Sequence, residues 1–136
     1  MINYWLIKTE PNTYSWDDLL NDGQTYWDGV RNYQASNNMK AMKIGDKAFF
    51  YHSNKGLEIV GIVEVVKEYY PDHTDPTERF GMVDFKAVKA MPNPVTLKQI
   101  KATPALSDMA LVKQSRLSVS PVRDDEWDLI CEMGGL

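Results

Sequence analysis

The sequence holds one cysteine, Cys131, so no disulfide can form within the chain. That suits a reducing compartment, and the cytoplasm is the expected location. There are only two histidines, His52 and His73. Together with a lone cysteine they supply a zinc set poorly, so neither a metal nor a cofactor is expected. No glycine-rich phosphate loop is present, which argues against nucleoside triphosphate hydrolysis. No Gly-x-Ser-x-Gly elbow surrounds Ser53, which argues against a serine hydrolase. No apolar run reaches the roughly 18 residues that a membrane helix needs, so no membrane partner is expected. The opening residues, Met1 to Lys8, lack the basic region, apolar stretch and cleavage site of a signal peptide, and they read as a strand instead. Basic charge is also short. The net charge is −4 and the pI about 5.1, so the chain has no overall basic field for coating nucleic acid.

What is present fits one globular domain over residues 1–136. The chain is 43% hydrophobic and 25% charged, enough to bury a core. Charge is unevenly placed. Over residues 29–57, Arg31, Lys40, Lys43, Lys47 and Lys55 meet only Asp46. Over residues 86–123, Lys86, Lys89, Lys98, Lys101, Lys113, Arg116 and Arg123 meet only Asp108. Such blocks can form a basic face on an acidic body, or simply sort as ordinary solvated faces.

Alternation and turn residues outline the elements. Asn3–Thr9 reads as a strand that ends before Pro11. Ser15 is an N-cap ahead of the first-turn acids Asp17 and Asp18, opening a helix through Leu20 that Gly23 terminates. Residues 27–32 form an irregular loop, followed by a helix from Tyr33 to Met42. Lys47–Ser53 reads as a strand. Glu58–Tyr69 is a longer one, apolar enough at its start to be buried on both faces. A polar loop covers Tyr70–Phe80, and Met82–Met91 is another strand. Thr96–Lys101 is a short helix. Ala110–Val112 and Leu117–Val119 read as short strands, or as a turn and a strand, and Arg123–Met133 closes the chain as a helix with Trp127 and Ile130 inward. The pattern predicts an α+β domain built on a small, mixed, mostly antiparallel β-barrel with peripheral helices.

Four segments carry candidate chemistry. Trp27 is flanked by Asp28, Gly29, Arg31 and Asn32, polar company that suits a pocket wall better than a core. Lys8-Thr9-Glu10 leaves the first strand and can offer a donor and an acceptor to one ligand edge. Tyr51-His52-Ser53 ends a strand. Because neighbouring strand residues face opposite ways, His52 and Ser53 are not expected to pair as base and nucleophile. Lys113-Gln114-Ser115-Arg116 is a basic turn able to meet phosphate. His73, in Pro71-Asp72-His73-Thr74-Asp75-Pro76, is expected to sit in an ordered turn.

Several strings in order along the chain together resemble the EVE domain family. They are Tyr4-Trp5-Leu6-Ile7-Lys8-Thr9-Glu10-Pro11, Trp27-Asp28-Gly29-Val30-Arg31-Asn32-Tyr33-Gln34-Ala35 and Ala48-Phe49-Phe50-Tyr51-His52-Ser53-Asn54, with Val66 to Asp72, Met82-Val83-Asp84 and Arg116-Leu117-Ser118-Val119. The resemblance implies a PUA-like fold related to the YTH readers of methylated adenosine. It implies a pocket for one flipped, modified base, with modified cytosine in DNA the leading candidate and DNA favoured over RNA. It makes Trp27 the stacking wall of an aromatic cage, Lys8, Thr9, Glu10, Asp28 and Asn32 its polar neighbours, and Tyr51, His52 and Ser53 its other side. Arg31, Lys113 and Arg116 would hold phosphate. No catalytic residue is implied. The loop at Tyr70–Phe80 is shorter than in the long eukaryotic relatives. Two other readings stay open: an enzyme acting on a nucleobase or its glycosidic bond through Glu10, Asp28 or His52, and a module binding a metabolite or a protein.

Overall fold

Period-two alternation along two neighbouring strands sets the layering of the protein. A computed structural model describes residues 2–136. In β1 (Tyr4–Thr9), Trp5 and Ile7 enter one apolar layer and Leu6 enters the other. In β3 (Lys47–His52), Ala48 and Phe50 join the first layer, and Phe49 and Tyr51 join the second. Side chains at successive strand positions point to opposite faces, so one sheet serves two cores.

The sheet has six strands in the order β2-β5-β4-β3-β1-β6. These are β2 (Gln24–Tyr26), β4 (Glu58–Pro71), β5 (Gly81–Thr96) and β6 (Val119–Val122), beside β1 and β3. β1 runs parallel to β3, and the other pairings are antiparallel. The sheet is barrel-like but open, since β2 and β6 stand at its two ends. The helices are α1 (Trp16–Asp22), α2 (Tyr33–Ala41), α3 (Leu97–Lys101), α4 (Ala110–Lys113) and α5 (Asp124–Met133).

The front layer, between the sheet and α1 and α2, holds Trp5, Trp16, Trp27, Phe50 and Phe85. The back layer holds Phe49, Tyr51, Ile100, Leu106 and Trp127, whose ring lies 3.9 Å from that of Phe49 and 4.3 Å from that of Tyr4. α1 begins with a capping box between Ser15 and Asp18. It crosses the sheet with Trp16 directly over Gly61, where an added Cβ would stand 2.4 Å from the indole. Only glycine permits that approach.

Four expectations need correction. Residues 110–112 form α4 rather than a strand, because an apolar triplet is too short to reveal its period. The last strand starts at Val119, not Leu117. β5 continues past Pro92 and Pro94 to Thr96. Gly61 pairs with Ala90 and Ile59 with Val95, so residues 91–94 bulge out of register and no ladder donor is asked of either proline. Tyr70 and Pro71 belong to β4, which leaves 72–80 as the loop.

Candidate functional site

A cavity of about 560 Å³ opens where the end of β1, the turn before α1, the last residue of α1, β2 and the loop 27–31 converge. That is within the usual size range of small-ligand pockets. Trp27 lines it, although its residue surface is only 8% exposed. The indole is packed edge-on against Phe50 at 5.7 Å, Phe85 at 5.8 Å and Tyr14 at 6.4 Å. Its backbone N–H donates to the Val83 carbonyl at 2.8 Å, which continues the pairing of β2 with β5. Trp27 is therefore both a core residue and a cavity wall, where the sequence suggested wall alone.

The polar lining comes from three directions. Lys8 and Thr9 end β1, and Ser118 precedes β6. The Lys8 ammonium donates to the Ser115 carbonyl at 2.8 Å, and its burial lowers its pKa from the ordinary lysine value. Thr9 Oγ1 donates to the Tyr14 carbonyl at 2.9 Å, fastening β1 to the approach to α1. The Tyr14 hydroxyl donates to Asp22 at 2.8 Å. Its pKa is pushed up to about 12, first by burial and then by the hydrogen bond and charge of Asp22, so the hydroxyl stays neutral. Gln24, Thr25, Tyr26 and Asp28 complete the rim, and Tyr26 is 48% exposed.

Loop 72–80 reaches across to fix this rim. Asp72 is buried and accepts from the Gly29 N–H at 2.8 Å, Arg31 Nη1 at 3.0 Å, the Thr74 N–H at 2.7 Å and the Thr74 hydroxyl at 2.6 Å. Burial opposes its ionisation, but these donors outweigh burial and hold its pKa at about 2. Gly29 has φ +78°, a conformation that glycine adopts without strain, which lets its N–H turn toward Asp72. Arg31 also donates to Thr74 Oγ1 at 3.0 Å and lies over the Phe80 ring. Asp75 repeats the turn with Thr77. The two Asp-x-Thr steps were the available signal for this anchor, since aspartate accepts readily from the residue two positions on.

The structure divides the residues singled out in the sequence. Lys8, Thr9, Trp27, Asp28 and Arg31 share the cavity lining. Glu10 is exposed outside it. Asn32 lies past the rim and caps α2, its Oδ1 accepting from the Ala35 N–H at 2.9 Å. Tyr51 is buried in the back layer, on the wrong face of the sheet for a cavity wall. His52 Nε2 accepts from the Trp16 N–H at 3.1 Å, so α1 covers its side of the strand. Burial pushes the His52 pKa down, against the opposing charges of Glu58 and Asp17. Ser53 donates its backbone N–H to Thr9 and is not in the lining. Lys113 pairs with Asp108 at 2.9 Å on the surface. Arg116 lines a second, smaller cavity with Asn32. Arg31 reaches the rim already paired with Asp72, which leaves it less charge for a phosphate than an unpaired guanidinium would offer. The sequence did not mark Thr13, Tyr14, Asp22 or Gln24 as lining residues, because nothing in their spacing says that α1 folds toward Trp27. His73 lies edge-on to Tyr26 at 5.0 Å, and among the described residues no group of three or more His, Cys, Asp or Glu could hold a metal ion.

This architecture is PUA-like. It aligns with the YTH domain of Zygosaccharomyces rouxii MRB1 protein with a TM-score of 0.60 at 17% identity, over 97% of this chain and 86% of that one, a likeness of fold. Residues 3–133 match the EVE domain, and the chain belongs to that family. An Agrobacterium tumefaciens protein of known crystal structure is 54% identical with a TM-score of 0.95, covering 98% of this chain and 94% of that one. Human thymocyte nuclear protein 1 is 37% identical over 165 residues, 96% of this chain and 73% of the human protein. Its crystal structure in complex with 5-methylcytosine-containing DNA is 34% identical with a TM-score of 0.92, over 98% of both chains. Among the described residues, no helix is long and apolar enough to cross a membrane.

Proposed function

We propose that the chain acts as one non-catalytic EVE module that reads a flipped, modified base, foremost a modified cytosine in DNA, in the cavity at Trp27. The observation that carries this reading is the joint make-up of that cavity: an indole wall held in place by three rings, and a polar rim of donors and acceptors in which Asp72 fixes Gly29 and Arg31 and Asp22 fixes Tyr14. Extruding a base costs a few kcal/mol of stacking, and an aromatic wall returns about 1–3 kcal/mol. The human relative's complex with 5-methylcytosine-containing DNA supports the ligand class. An added methyl contributes about 1 kcal/mol of apolar contact, so discrimination by one module is modest, about fivefold. With a net charge of −4, affinity is weak and falls with salt. A reducing cytoplasm is the compartment we propose, consistent with the single thiol, Cys131.

The catalytic alternative finds less support. Of Glu10, Asp28 and His52, only Asp28 lines the cavity; Glu10 stands outside it and His52 is turned to the start of α1. The test is anisotropy titration of paired oligodeoxynucleotides with and without 5-methylcytosine, followed by mass analysis after prolonged incubation. Tighter binding of the methylated strand with its mass unchanged is the expected result. Equal binding overturns the reader assignment. A changed mass that Asp28→Asn abolishes replaces it with an enzyme.

A further inference from the structure

A second cavity, of about 350 Å³, is lined by Asn32, Gln34, Gln114, Ser115, Arg116 and Leu117. It adjoins the first through both of its walls. Arg31 lines the first cavity and Asn32 the second, while Ser118 lines the first and Leu117 the second. Lys8 ties the two together, since it lines the first cavity while its ammonium donates to the carbonyl of Ser115 in the second. A partition of residues 31–32 and 117–118 therefore separates a nucleotide against Trp27 from the second cavity.

The second cavity differs in kind from the first. Its lining contains no aromatic ring and no carboxylate. Three primary amides, those of Asn32, Gln34 and Gln114, line it with the Ser115 hydroxyl, the Arg116 guanidinium and the buried Leu117, and the Asn32 oxygen is already committed to capping α2. Among the described residues, no carboxylate oxygen lies within 4.0 Å of the Arg116 guanidinium. A primary amide carries a donor and an acceptor side by side, which matches the polar edge of a base, and a free guanidinium matches a phosphodiester.

We propose that this second cavity takes the nucleotide flanking the one held at Trp27, with Arg116 on its phosphodiester and Gln34 and Gln114 on its base edge. The proposal rests on the reader assignment and adds sequence context to it. The flipped base reports modification, and its neighbour reports surrounding sequence. Making or losing one amide hydrogen bond corresponds to about a 3- to 10-fold change in affinity.

The experiment titrates oligodeoxynucleotides that carry one 5-methylcytosine and each of the four bases on either side of it, at several salt concentrations. Wild-type protein is compared with Gln34→Ala, Gln114→Ala and Arg116→Ala, all at exposed positions. Expected is a context preference of about 3- to 10-fold in the wild type that flattens in the two glutamine variants, while the methylated-to-plain ratio is unchanged. Arg116→Ala should weaken binding about equally across contexts and lower the salt slope by about 1. Methyl discrimination with no context preference, or one the three variants leave intact, overturns the second cavity and leaves the reader standing. Absence of methyl discrimination in the wild type overturns both.

Discussion

Replacing Trp27 tests whether one residue serves as core and binding wall together. The indole is 8% exposed and meets Phe50, Phe85 and Tyr14 edge-on. Buried aromatic side chains hide on the order of 150–250 Å², and truncation to alanine costs about 3–5 kcal/mol once the cavity left behind is included. In a domain of this length that lowers Tm by about 10–20 °C. Trp27→Phe keeps a ring in the same place and leaves a smaller void, with an expected cost of about 1–2 kcal/mol. Thermal melts followed by circular dichroism read the first effect. Anisotropy with a 5-methylcytosine oligonucleotide, measured well below the lower Tm, reads the second. Trp27→Ala should be both unstable and weak, losing about 5- to 100-fold in affinity, while Trp27→Phe keeps most of both. An alanine variant that melts within about 2 °C of wild type refutes the packing argument. One that is destabilised as expected yet binds unchanged refutes the stacking argument.

Four further outcomes follow from the structure. Asp72→Asn removes the charge that holds Gly29 and Arg31, so stability should fall by about 2–3 kcal/mol and affinity should fall with it as the rim loosens; a melt equal to wild type contradicts the clamp. Because the Asp72 pKa is about 2 in the folded protein, against an ordinary 3.8, its contribution is complete above about pH 4 and is lost as pH falls toward 2, and acid titration of Asp72→Asn should lack that component. His52 has a pKa depressed by burial, so the unfolded chain takes up a proton first as pH drops through 6.5; wild-type Tm should decline below that pH, and a flat profile that His52→Gln leaves unaltered argues against its contact with α1. Gly61→Ala would drive a methyl into the Trp16 ring and should cost about 1–3 kcal/mol by melt; a neutral result contradicts the crossing of α1 over β4.

Local rules made much of the fold legible. The strand read over Lys47–Ser53 is there as β3, and Ser15 with the first-turn acids marked the start of α1. What escaped was long-range or weakly patterned. β2 is three residues with two of them exposed, so it carries almost no period. Pro92 and Pro94 read as a break, but an out-of-register bulge accommodates them. At the site, the strings around Lys8 and Trp27 pointed to residues that do line the cavity. The string around His52 did not, because α1 folds back over that strand end. Asp72 acts on residues 41 and 43 positions away, a distance that no local spacing reports.

The two-layer sheet has a practical consequence. The main cavity opens on the layer that holds Trp27, while Trp127 is sandwiched between Tyr4 and Phe49 behind the sheet. Three tryptophans therefore stand in the layer that carries the main cavity, and the fourth stands in a layer that does not. Comparison with Trp127→Phe therefore separates the emission of the back layer from that of the front. A ligand at the main cavity should then dim the emission that remains in Trp127→Phe, and the difference spectrum follows unfolding at the back face.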